Sequence, residues 1–400
     1  MKQINRMREQ AFTLTDKIIQ KTGPRLAGTK NSLDAAFLLK EEMAKFADKV
    51  ETEDFIVHKG AFLGWIRILV IGYLFGILFL WIDHPLISAI LMVVSLLILV
   101  YQFFLYKPLL DPFYPAKKGM NVVANIEPSG KVMQQVIISG HHDSARIFNF
   151  LIHQPKLYNL RVTGGISLVI AMLAISIVLI FFTTGPVVFA LKIFLSAGAL
   201  LTAQLWFFAS GKGTPGAGDN LISSAMAVEI GRYFKENPLE HTRIILASFD
   251  AEEEGLRGAR AFAKNHQKEF KETPTVLLNT DCPYFLKDLF FLTSDINCSV
   301  PLSQELSDEL VKIAKEKGYS AASKPIAFLT GGTDAGELAK IGVKSTTLMA
   351  MPWSNSARSQ VYHTPNDTID HIEKDAIDAA IDIFVSYVEM HDKEITGSPI

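Results

Sequence analysis

The sequence predicts an α/β fold, a mixed but mainly parallel sheet with helices on both faces, carrying four transmembrane helices as two inserted hairpins. Three observations lead there. Short β-branched runs alternate with amphipathic stretches of helical period. Acids and histidines come directly after several of those runs. Two long apolar blocks interrupt the alternation.

The runs are QQVIISG (residues 134–140), TRIILASF (242–249), TVLLNT (275–280) and VKSTTLMAM (343–351). Short, bounded and rich in β-branched residues, they read as strands buried on both faces of a parallel sheet. Helical periodicity over residues 32–46, 221–235, 303–317 and 373–390 fills the intervals between them.

The apolar blocks hold the hydrophobic excess of a chain that is 49% hydrophobic and only 20% charged. The first, residues 61–107, breaks at Asp83, His84 and Pro85. The second, residues 162–210, breaks at TTGP (183–186). Each leaves two arms of roughly 20 residues, the length that crosses a bilayer core. Trp65, Trp81, Tyr101, Tyr106 and Trp206 stand towards the arm ends, as interfacial aromatics do. Arg67 and Lys192 interrupt the arms, each near enough to an end to snorkel. Both turns lack Lys and Arg, whereas the opposite flanks hold Lys59, Lys107, Lys117, Lys118, Lys156, Arg161 and Lys212. By the positive-inside rule the polar mass is cytoplasmic, in a multi-pass integral membrane protein whose first partner is the lipid bilayer. The arms hold almost no polar residues, which argues against a transport pathway.

The remaining bulk properties exclude more than they assign. A net charge of −2 leaves no electrostatic footprint for nucleic acid. Cys282 and Cys298 form neither a zinc-type pair spacing nor a disulfide framework. The opening MKQINRMREQAFTL lacks an apolar core of signal-peptide length, so cleavage and export are not expected.

Ligands of open α/β sheets collect outside the carboxyl ends of the strands. His141, His142 and Asp143 come after the first run, Asp250, Glu252 and Glu253 after the second, and Asp281 after the third. Asp219 in GAGDN and His363 in VYHTPNDTID lie in loops. Each has an ordinary alternative: Asp219 could cap the next helix, and Glu252, Glu253 and Glu254 could be an acidic first helical turn. Together, carboxylates and imidazoles suit Zn²⁺, or else Mn²⁺ or Co²⁺. Without a cation such a cluster would be a costly acidic pit.

In order along the chain, GPRLAGT (23–29), NVVANI (121–126), GHHDSA (140–145), GAGDN (216–220), FDAEEEGLRGA (249–259), NTD (279–281) and YHTPNDT (362–368) resemble the zinc-dependent di-metal exopeptidases of the bacterial leucyl aminopeptidase type, relatives of glutamate carboxypeptidase and glutaminyl cyclase. The resemblance covers nearly all of the chain outside the apolar blocks. It implies a zinc-dependent metallopeptidase holding two Zn²⁺ ions through His141, Asp219, Glu253, Asp281 and His363, with Asp219 bridging. Asp143 would orient His141, and Glu252 would be the general base for a zinc-activated water. His142 receives no role.

The peptidase domain would then comprise residues 1–60, 108–161 and 211–400, with hairpins at 61–107 and 162–210, and its site would sit close to the bilayer. The expected activity is that of a membrane-embedded aminopeptidase acting on peptides. Carboxypeptidase action, glutaminyl cyclisation and a non-catalytic membrane scaffold are the alternatives. One departure bears on specificity: in GGTDAGEL, Thr333 and Asp334 match the relatives, but Ala335 replaces a histidine.

Overall fold

The computed structural model describes residues 2–353 and 355–396. Two compact units are present. One comprises residues 1–57, 116–146 and 212–400; the other comprises residues 58–115 and 147–211.

In the first unit a nine-stranded mixed sheet runs among the described residues. Its strands are β1 (Lys49–His58), β2 (Ala116–Ile126), β3 (Gln134–His141), β4 (Thr242–Phe249), β5 (Thr275–Pro283), β6 (Leu289–Asp295), β7 (Val300–Pro301), β8 (Ala322–Pro325) and β9 (Lys344–Ala350). They are ordered β1-β2-β4-β3-β5-β9-β6-β8, with β7 beside β6. The centre, β4-β3-β5-β9, is parallel, while β2 and β6 join it antiparallel. Every residue of β3 from Gln135 to His141 is buried, as a central strand covered by helices on both faces requires.

The parallel registers align the carboxyl ends that matter. His141 lies opposite Phe249, and Asp281 opposite Met349. The helix Ile222–Glu236 packs tightly enough over β3 that a Cβ on Gly140 would stand 2.5 Å from the Ser223 Cβ. Only glycine admits that approach, which brings the start of the helix down onto the strand end. The expected helices appear as Lys30–Met43, Ile222–Glu236, Gln304–Glu316 and Lys374–Thr396. Strands β1, β2, β6, β7 and β8 and the helices Lys2–Thr22, Arg257–Glu272 and Asp334–Ala339 lie outside the runs that the sequence marks.

On the Arg257–Glu272 helix, His266 lies 2.5 Å from Glu53 of β1 and 3.1 Å from Glu269. Burial lowers its pKa, but the two carboxylates outweigh burial and raise it to about 9. A raised histidine pKa stabilises the fold fully below the unfolded value near 6.5, and that contribution fades as pH climbs through about 9. His266→Gln is therefore expected to cost about 1 kcal/mol in thermal unfolding at pH 6, after allowance for solvent screening, and almost nothing at pH 10.

In the second unit, four helical spans among the described residues are long and apolar enough to cross a membrane: Gly64–Trp81, Pro85–Phe104, Pro155–Phe181 and Pro186–Phe207. The third begins ahead of the apolar block predicted from residue 162, because Tyr158–Arg161 continue the helix. Leu69, Tyr73, Met92, Val169, Met172 and Leu195 are buried between the helices, while Phe75, Leu78, Ile90, Leu97, Ile177 and Phe189 face outwards. Polar contacts join the hairpins: Ser88 and Ser176 hydroxyls meet at 2.9 Å, and the Tyr73 hydroxyl donates to the Leu195 carbonyl at 2.9 Å. Lys192 pairs with Asp83 at 2.7 Å, and Arg67 lies over the Trp206 ring.

Candidate metal centre

Five segments deliver the site, three from strand ends and two from the loops that carry Asp219 and His363. His141 closes β3, and its Nδ1 lies 3.3 Å from an Asp143 carboxylate oxygen and 3.2 Å from the Asp143 carbonyl. That leaves Nε2 facing into the cluster, 3.4 Å from Asp219 Oδ1. His363 approaches the same carboxylate from the other side, its Nε2 3.3 Å from Asp219 Oδ2 and 3.5 Å from Glu253 Oε1. Asp219 thus turns one oxygen to each imidazole. Asp281, within β5, shares a gap with His141 and Glu252 in which donor atoms lie within 4.8 Å of one another.

The turn after β4 explains how adjacent glutamates diverge. Asp250 accepts hydrogen bonds from the Ser32 hydroxyl and the Met120 and Ala251 amides, anchoring the turn's entrance. Ala251 and Leu256 adopt positive φ, so the chain folds back before the helix opens at Arg257. Within the turn the Glu252 and Glu253 amides donate to the two oxygens of Asp143, at 3.1 and 3.2 Å. The side chains then part: Glu252 reaches to 3.9 Å from His141, and Glu253 turns to His363. Asp143 therefore touches His141 and fixes both glutamates.

Two ordinary readings fail here. Asp219 does not cap the helix Ile222–Glu236, which has no side-chain cap. The three glutamates are not a first helical turn, since the helix starts after them; Glu254 pairs instead with Arg146 at 3.3 Å. The expectation of a helix-start carboxylate at Glu254 is thereby corrected, because the positive φ values delay the helix.

Electrostatically the cluster is short of positive charge. Burial, reinforced by Glu253, Asp281 and Asp334 against His141, holds the Glu252 carboxyl well above its usual range. Burial and Asp219 do the same to Glu253. Asp281 is pushed up to about 6, chiefly by burial. Burial would lower His141, yet Asp143, Asp219 and Glu252 keep it well above its ordinary value. Asp219 is depressed because the two histidines outweigh its burial.

Among the described residues, the His141 Nε2 and Asp219 Oδ2 atoms are buried and make no hydrogen bond. Imidazole and carboxylate donors, buried and facing one another without hydrogen-bond partners, fit divalent zinc. A cation would relieve their mutual repulsion.

Several residues near the cluster have no role in the sequence pattern. Asp334 is wholly buried, neither of its oxygens makes a hydrogen bond among the described residues, and burial raises its pKa well above the usual range. Asp367 accepts from the Gly218 amide and the Tyr284 hydroxyl, each at 2.8 Å, and so pins the loop that carries Asp219. Arg25 is wholly buried and donates to the His142 and Gly216 carbonyls. A carboxylate after GGT or inside a loop motif has no strand-end signature, and an arginine shows its role only through what folds around it.

Residues 202–388 match the model of Peptidase family M28. No curated protein sequence matches the chain. Among solved structures, a zinc aminopeptidase of Bacillus subtilis is 16% identical, covering 96% of this chain and 94% of its own, with a TM-score of 0.57. A Zn-dependent exopeptidase of Parabacteroides distasonis is 13% identical over 96% and 97%, with a TM-score of 0.57. A glutaminyl cyclase from an Acidobacteriales bacterium is 17% identical over 97% and 95%, with a TM-score of 0.56. The resemblance drawn from the motifs and the expected fold class are both borne out. The family match, joined to the fold, supports a zinc-dependent metallopeptidase.

Proposed function

We propose, from the match of residues 202–388 to Peptidase family M28 and from the fold shared with zinc exopeptidases, that this chain is a peptidase of that kind and a membrane-embedded aminopeptidase. The observation that carries the reading is Asp219 presenting one oxygen to each of two imidazoles, 3.4 and 3.3 Å away. His141 and Asp281 would hold one zinc ion, Glu253 and His363 the other, with Asp219 shared. Two such ions, when bound, would acidify a water and polarise the scissile carbonyl. Glu252, beside the cluster and outside the proposed ligand set, would take the water's proton and return it to the departing amine. Asp143 holds the Glu252 amide and the His141 ring in place.

The charge of the cluster favours an amino-terminal substrate. Asp334, wholly buried beside the cluster and outside both the ligand set and the proton step, is the carboxylate left to meet a free α-ammonium, a contact that a terminal α-carboxylate could not make. Purified protein is expected to cleave aminoacyl reporters with a free N-terminus, with N-acetylation lowering the rate at least about 100-fold. Preferential cleavage of N-blocked dipeptides bearing a free C-terminus would instead assign a carboxypeptidase. Formation of pyroglutamate from N-terminal glutamine at one zinc per chain would assign a cyclase.

The membrane half of the reading rests on four apolar spans whose outward faces carry large hydrophobic side chains such as Phe75, Phe189 and Leu200. A soluble protein rarely exposes so continuous an apolar surface. The basic flanks support a cytoplasmic peptidase unit. Protease added to sealed inside-out vesicles should digest that unit, and protease added to right-side-out vesicles should spare it.

A further inference from the structure

We infer that Arg25 is a positioning residue that sets the spacing between His141 and Asp219 before any metal arrives, by bolting the loop after β3 to the loop that carries Asp219. The inference rests on the reading of those two residues as metal ligands.

Arg25 is fully buried, and its guanidinium binds backbone rather than a carboxylate. Nε donates to the His142 carbonyl at 2.7 Å. Nη1 donates to the Pro215 carbonyl at 2.9 Å and Nη2 to the Gly216 carbonyl at 2.6 Å. One rigid planar group therefore ties the residue beside His141 to a loop three residues before Asp219. The main chain of Arg25 reinforces the clip: its amide donates to the Ser144 hydroxyl at 2.9 Å, and its carbonyl accepts from the Ser144 amide at 3.1 Å.

Gly216 makes the approach possible. Its φ is +67°, and a Cβ there would stand 2.6 Å from Arg25 Nη2. The buried charge is compensated from the metal side. Burial lowers the guanidinium pKa to about 10, and Asp367, Asp143 and Asp219 act in the opposite direction. Arg25 thus supplies positive charge beneath an acidic cluster that would otherwise spread through self-repulsion. Lysine cannot copy this, because an ammonium lacks the planar fork that reaches both loops at once.

The experiment compares wild-type protein with Arg25→Lys and Arg25→Met, measuring zinc affinity by competition with a chromophoric chelator at a temperature where each is folded. Zinc affinity should fall 10- to 100-fold in both variants, as it does when groups that orient metal ligands are removed. A merely structural arginine would lower the melting temperature and leave zinc affinity of the folded protein unchanged; that result overturns the inference. If neither variant folds, Ser144→Ala decides, since it loosens the same clip while keeping the guanidinium. A fall of about threefold or more in its zinc affinity supports the inference, and wild-type affinity overturns it. His141→Ala and Asp219→Ala run alongside. Wild-type zinc affinity in those two would sink the ligand reading itself, which is distinguishable from failure of Arg25 alone.

Discussion

Glu252→Gln is expected to lower kcat about 1,000-fold while the protein keeps both zinc ions, measured as turnover of an aminoacyl reporter beside metal content. Glutamine preserves the length and polarity of the side chain and removes only its ability to carry a proton. The measurement also separates two uses of this carboxylate. Glu252 lies 3.9 Å from His141 and shares a gap with His141 and Asp281, so its geometry alone would also suit a ligand. A ligand would take its ion with it when replaced, whereas a proton carrier would not. Loss of one zinc in Glu252→Gln would therefore move Glu252 into the ligand set and leave the proton step without a named base. Glu254→Gln provides the contrast. Its carboxylate pairs with Arg146 rather than with a histidine, and turnover should stay within about twofold of wild type.

The sheet's centre and the convergence at its edge were legible because buried parallel strands are continuous apolar runs. Residues just past the end of each run emerge at one shared edge. His141, Asp250 and Asp281 are placed by that rule alone. The divergence of Glu252 from Glu253 could be inferred from adjacency, although the sequence did not disclose that positive φ at Ala251 and Leu256 would keep them out of the helix.

Strand β1, KVETEDFIVH, was hidden because it lies at an edge and keeps charges along it, so it has no apolar run to betray it. The helix Lys2–Thr22 buries Met7, Ala11, Leu14 and Ile18, a stripe of helical period in an otherwise polar stretch. It could have been read. Arg25 and Asp367 stand in the GPRLAGT and YHTPNDT motifs, but their roles could not be read, since both act through backbone groups distant in sequence. Pairing of Lys192 with Asp83 was likewise invisible, because it joins two hairpins that sequence reasoning treats separately.

Asp219→Ala should be the most damaging change among the proposed ligands, because it is the only one shared. Its oxygens stand 3.4 Å from His141 Nε2 and 3.3 Å from His363 Nε2, and no other side chain among the five reaches both imidazoles at such distances. Loss of Glu253 or His363 should weaken one ion and spare the other, and loss of Asp281 should do the converse. Loss of Asp219 removes a donor from both at once and leaves the two histidines facing each other without the carboxylate that separates them. Zinc content should fall from two ions per chain to less than one. The reporter kcat/KM should drop by at least about 1,000-fold, several kcal/mol of transition-state stabilisation. Asp219→Asn sharpens the test, because the amide keeps the size and one carbonyl oxygen but offers nitrogen to the other imidazole. It should retain at most the ion that the oxygen faces. Two tightly held ions in Asp219→Asn would mean that the pair of centres does not depend on a shared carboxylate. The single observation on which the aminopeptidase reading rests would then lose its force.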